Sequence, residues 1–185
     1  DELEEAEKRI KELIDRLEEF NEEVHRRNEK LIRELREVLK RVEEEIRRLI
    51  KELRDEVRKI SDKDTVEDIV RKVLETVKEL IKEVKKIVDD VLREVRKTVR
   101  KVKEITDDML RRVRKLIEEV RKRTRDKRVE ERLERVLREV EEVVKRSRKH
   151  LEDSLREVEK AVKEIRDRLD EVLRRVEKAV EEIRT

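Results

Sequence analysis

The apolar residues of this chain recur in blocks of 18, and that period constrains the fold more than any other feature. In the middle of the sequence Ile69, Val70, Val73, Leu74, Val77, Leu80, Ile81 and Val84 are followed 18 residues later by Ile87, Val88, Val91, Leu92, Val95, Thr98, Val99 and Val102. A third block runs Ile105, Thr106, Met109, Leu110, Val113, Leu116, Ile117 and Val120. The first third repeats through Leu13, Leu31, Leu49 and Ile14, Ile32, Ile50, and the last through Leu133, Leu151, Leu169 and Leu137, Leu155, Leu173. Eighteen residues complete five turns at about 3.6 residues per turn, so the stripe holds one face of a straight helix. A seven-residue repeat would instead wind it to the left and an eleven-residue one to the right. Seven or eight apolar positions in each block make a stripe wide enough to pack against two neighbours.

The helix ends have to be read from caps, because the chain has no Gly and no Pro. The period is interrupted twice, at Ile60-Ser61-Asp62-Lys63-Asp64-Thr65 and at Arg123-Thr124-Arg125-Asp126. Asp64 with Glu67 has the spacing of a capping box, and Asp126 or Thr124 can cap a following helix. The cuts predict helices over about 1–60, 65–123 and 127–185, each roughly 90 Å long. Near-equal helices joined by short loops predict an all-α, monomeric, up-down-up three-helix bundle, with 1–185 a single domain.

Residues off the stripe are almost all Glu, Lys, Arg and Asp, strong helix formers with many i,i+4 pairs. Charged residues make up 59% of the chain and apolar ones 34%; a composition so charged suggests disorder, but the strict period lets the apolar third offset chain entropy. This constant repeat, carried through all three segments, resembles the family of de novo, computationally designed, parametric untwisted helical bundles, and the likeness covers the whole chain. The resemblance implies thermal hyperstability, a solvated charged surface and no natural substrate or partner.

Six positions break the apolar columns: Asn21 and Asn28, Thr98 and Thr106, Ser147 and Ser154. Antiparallel neighbours match where residue numbers add to about 126 or 127 for the first two helices and about 252 or 253 for the last two. Asn21, Thr106 and Ser147 then share one level, and Asn28, Thr98 and Ser154 another. His25 and His150, the only histidines, fall between them. On a helical wheel Asn21, His25 and Asn28 flank one side of the first stripe, and Ser147, His150 and Ser154 flank the opposite side of the third. These flanks face each other or both turn toward the middle helix, depending on the hand of the bundle.

The expectation is a buried hydrogen-bond network fixing register, since an unpaired buried hydroxyl or amide costs about 1–3 kcal/mol. The alternatives are a site for a small molecule or a metal at the His25/His150 level, and a homo-oligomer or switch. Two imidazoles fill half of a tetrahedral zinc shell, so no metal is assigned. Phe20 and Met109, each alone of its type, read as gap fillers beside the Asn21 layer.

Other chemistries are absent. Without Gly there is no phosphate-cradling loop, and without Cys no zinc finger or thiol nucleophile. Glu22 and His25 have the Glu-x-x-His spacing of di-iron bundles, but Glu22 points off the stripe and Ser147 stands where a second Glu is needed. A triad from Ser147 or Ser154, His150 and Asp153 lacks an oxyanion hole and puts Asp153 on the exposed face, so no enzyme and no cofactor are expected. Net charge is +3, and the basic run Arg121 to Arg128 has no aromatic to stack bases. It reads as the complement of a helix C-terminus, level with the acidic start at Asp1 and Glu2. No apolar run approaches the roughly 20 residues of a membrane span, and no secretory leader is read. The expectation is a soluble protein without nucleic-acid, membrane or other partners, a monomer with self-association as the alternative.

Overall fold

The computed structural model describes residues 2–185, so the expectation for Asp1 lies outside it. Three helices account for nearly all of them: α1 (Glu2–Val57), α2 (Lys63–Arg123) and α3 (Lys127–Arg184). The described residues include no strand. Among the described residues none has a positive φ, which suits a chain that turns twice without glycine.

The first turn differs from the expected boundary. α1 ends at Val57 because the N–H groups of Lys59 and Ile60 turn back to carbonyls only three residues earlier, on Glu56 and Val57. α2 begins at Lys63, capped by Asp62 and not by Asp64. The Asp62 carboxylate accepts from the Asp64 N–H at 3.2 Å and from the Thr65 hydroxyl at 2.8 Å, while its carbonyl accepts from Val66 at 3.1 Å. Asp64 lies in the first turn, where its charge complements the helix dipole. At the second turn Asp126 is the cap, accepting from the Arg128 N–H at 3.0 Å.

Contacts group the chain into two compact units: residues up to Glu29 with Glu94–Glu157, and Lys30–Arg93 with Val158–Thr185. In the first, Leu3, Ile10, Leu17, Val113, Ile117, Leu133, Val140 and Val144 form a buried aliphatic core, with Met109 among the half-buried residues packed on it. Ion pairs fix the register of its helices. Glu7 meets Arg132 at an offset of 125 residues, so α1 and α3 run parallel. Arg121–Glu134, Arg114–Glu141 and Lys103–Glu152, whose numbers add to 255, run antiparallel. That sum differs from the expected 252 or 253 by two or three residues, less than one helical turn. Arg123 reaches Glu2 at 3.0 Å, bringing the basic end of α2 to the acidic start of α1.

The second unit buries Val70, Val77, Val88, Val158 and Leu169 completely. Its ion pairs include Glu43–Arg168, again at an offset of 125, together with Lys85–Asp170 and Asp89–Arg166. The hydrogen bond from Lys85, with its charge, holds the Asp170 carboxyl below the ordinary carboxylate range. No helix among the described residues is long and apolar enough to cross a membrane.

Candidate functional site

All eight residues singled out from the broken columns lie in the first unit. Asn28 occupies the column of Ile10 and Ile46, and like them it is buried, at 4% exposure. Its Nδ2 donates to Ser154 Oγ at 2.9 Å, and Ser154 is itself 3% exposed. Two turns earlier the Asn21 Nδ2 donates to the Ser147 Oγ. Both bonds join α1 to α3 at an offset of 126 residues, matching the register of the Glu7–Arg132 pair to within one residue. The two polar flanks therefore face each other, which is the choice of hand that the sequence left open.

The threonines behave differently. Thr106 is fully buried, but its hydroxyl donates to the Val102 carbonyl of its own helix at 2.7 Å. Thr98 is half-buried and donates to the Glu94 carbonyl at 3.0 Å. The expected three-residue layers are thus two Asn–Ser pairs across α1 and α3, with Thr98 and Thr106 satisfied locally. A helical threonine always has the carbonyl four residues back within reach, so it does not require a partner across the bundle.

Between the pairs, the rings of His25 and His150 stand 6.3 Å apart, centre to centre, with their planes tilted by 52°. His25 is half-buried, and its Nε2 lies 2.9 Å from Glu29 Oε1, one turn on along α1. His150 is exposed. Asn21, His25, Ser147 and His150 line a cavity of about 290 Å³ together with Glu18, Glu22 and Arg146. Glu22 borders this cavity although the helical wheel turned it away, because the space lies on the polar flank of α1 and not under its apolar stripe. Two atoms in these walls, Asn21 Oδ1 and His25 Nδ1, are buried without a hydrogen-bond partner.

The serines are engaged as acceptors of asparagine amides, and Asp153 faces Arg156 on the surface at 3.8 Å. Among the described residues no three His, Asp or Glu side chains are grouped around one point as a metal shell would require.

A second groove of about 280 Å³ lies between α1 and α2, lined by Leu13, Leu17, Phe20, Ile105 and Met109 with Arg16, Asp108 and Arg112. Phe20 is 41% exposed and Ile105 54% exposed. Phe20 is thus a partial cover over this groove rather than a filler inside the core. The sequence reading missed this groove, and it missed Glu29; the i,i+4 spacing of Glu29 from His25 was a signal for the second.

No known protein family matches the chain, and no curated protein matches it. Among solved structures, one described as a computationally designed three helix bundle superposes with a TM-score of 0.65 at 18% identity, over 99% of this chain and 89% of that one. At that identity the likeness establishes the fold: this chain is an all-α three-helix bundle.

Proposed function

We propose that the chain is a computationally designed structural scaffold, a monomeric and thermally hyperstable bundle without enzymatic activity, in which two Asn–Ser pairs set the register of α1 against α3. The 18-residue repeat and the likeness to a designed bundle support the design origin. The observation that carries the register role is the Asn28–Ser154 bond. It places two buried polar side chains in columns otherwise held by Ile10, Ile46, Val136 and Val172, at an offset shared with the Asn21–Ser147 pair. A slip of either helix by one turn would strand both amides in apolar surroundings, whereas an all-aliphatic core tolerates such slips at little cost.

The test replaces Asn21 and Asn28 by Leu and Ser147 and Ser154 by Ala in one variant. It should remain helical and melt no lower than the parent, yet give a poorly dispersed amide spectrum or a mixture of masses. A single well-dispersed monomeric species would refute the register role.

A second reading, self-association, is favoured by the exposure of Ile87 at 49% and Ile105 at 54%, two members of one 18-residue column on α2. Against it, a lone exposed aliphatic side chain such as Ile87 is ordinary on a monomer's surface, and the groove that Ile105 shares with Phe20 is bordered by Arg16, Asp108 and Arg112.

A further inference from the structure

The level between the Asn–Ser pairs holds lone pairs that register alone does not use. His25 Nε2 faces the Glu29 carboxylate at 2.9 Å. A carboxylate beside Nε2 favours the neutral tautomer with the proton on that nitrogen, which leaves the Nδ1 lone pair free. That Nδ1 is buried and unpartnered. One turn back, Asn21 commits its amide N–H to Ser147, and its Oδ1 is also buried and unpartnered. Both residues line the cavity that His150 lines from α3. Buried acceptors without donors are uncommon in folded proteins, and a cation satisfies them.

We propose that His25 Nδ1 and an imidazole nitrogen of His150 bind one divalent transition-metal ion between α1 and α3, with Asn21 Oδ1 as a weaker third donor. Neutral imidazole selects copper, nickel or zinc over calcium and magnesium, and among these Cu²⁺ binds a given nitrogen site most tightly. The Glu29 carboxylate beside Nε2 supplies the outer-shell negative charge that favours the tautomer of a metal-bound histidine. Glu18 and Glu22 line the cavity against one guanidinium, Arg146, which leaves its formal charge favourable to a cation.

The spacing fits with a small adjustment. With metal–nitrogen bonds of about 2.0–2.1 Å, two imidazoles on one ion have ring centres roughly 5 Å apart at a tetrahedral angle and roughly 6.4 Å apart when opposite. The observed 6.3 Å lies at the wide end. His150 is exposed, so its ring can close the difference by side-chain rotation without moving a core residue. Solvent completes the shell, which makes the site weaker than a closed four-ligand one.

The test titrates chelator-treated protein with CuCl₂ near neutral pH, by calorimetry and by electron paramagnetic resonance in frozen solution. One ion per chain is expected, with hyperfine structure from two imidazole nitrogens. His150→Ala, a surface change that leaves the core intact, should weaken binding at least about tenfold and reduce the pattern to one nitrogen, and His25→Ala should do the same; Glu29→Gln should weaken it by about tenfold at most. Absence of binding by the parent, or an affinity and spectrum unchanged in His150→Ala or His25→Ala, would overturn the proposal. Either result would leave the scaffold reading, which does not depend on metal, where it stands.

Discussion

Replacing Ser154 by Ala tests the buried pair with a calculable outcome. Asn28 and Ser154 are 4% and 3% exposed, so when the hydroxyl is removed the Asn28 amide cannot turn to water for a substitute. An unsatisfied buried N–H costs about 1–3 kcal/mol, and little is recovered from removing one hydroxyl, so a loss of about 1–2 kcal/mol is expected. Thr106→Val is the matched control. The Thr106 hydroxyl is equally buried, but its acceptor, the Val102 carbonyl, keeps its backbone bond in the helix ladder, and the new methyl fills the same volume. That change should stay within about 0.5 kcal/mol of the parent or stabilise it. Asn28→Leu combined with Ser154→Ala removes both polar partners and restores the character of Ile10 and Ile46, so it should be at least as stable as Ser154→Ala alone and close to the parent. Guanidinium unfolding followed by far-UV circular dichroism reads all three, compared at constant slope so that the midpoint reports stability. A Ser154→Ala variant within about 0.3 kcal/mol of the parent would refute the reasoning, and so would a double variant weaker than the single one.

Three further outcomes follow from particular contacts. Asp62→Ala should cost about 0.5–2 kcal/mol as the loss of a helix cap, and Asp64→Ala only a few tenths; the reverse order in the same unfolding assay would move the start of α2 to where the capping-box spacing put it. The Asp170 carboxyl, lowered chiefly by its hydrogen bond from Lys85, contributes stability that is present above the ordinary carboxylate range near pH 4 and is lost as pH falls through its own lower value. Lys85→Met should therefore raise the Asp170 titration midpoint in carboxyl NMR. Because the carboxylate is half exposed, the stability difference near pH 7 should be no more than about 1 kcal/mol, vanishing near pH 2; an unmoved midpoint would contradict this. Light scattering should give the 22.8 kDa of one chain at all concentrations. A mass rising with concentration, and reversed by Ile105→Glu, would instead make the Phe20–Ile105 groove a self-association surface.

The 18-residue period was sufficient for the number of helices, their antiparallel order and the pairing level of the Asn and Ser residues, because burying a stripe on a straight helix leaves few alternatives. It was not sufficient for the first turn. Ser61, Asp62 and Asp64 are all competent caps within four residues, and only the path of the chain after Val57 selects Asp62. Nor could the period separate Asn28 from Thr106, both of which interrupt a column of branched aliphatics. The distinction is chemical. Thr106 closes a bond on its own helix at 2.7 Å, while the Asn28 amide, mid-helix, finds its partner on α3.

The hand of the packing decides what the polar level can do. Had the two flanks turned toward α2, Asn21 and Asn28 would have met Thr106 and Thr98, whose hydroxyls already have acceptors within their own helix. His25 and His150 would then have stood on separate interfaces. With the flanks facing each other, each Asn amide donates to a serine and the two imidazoles come within 6.3 Å. The Asn21 carbonyl oxygen and the His25 Nδ1 are left in the walls of one cavity. The same six polar residues and two histidines would be legible in either hand, but only this one gathers unused lone pairs from a shared space. The ligand chemistry of the level is thus a property of handedness, which no helical wheel of a single segment contains.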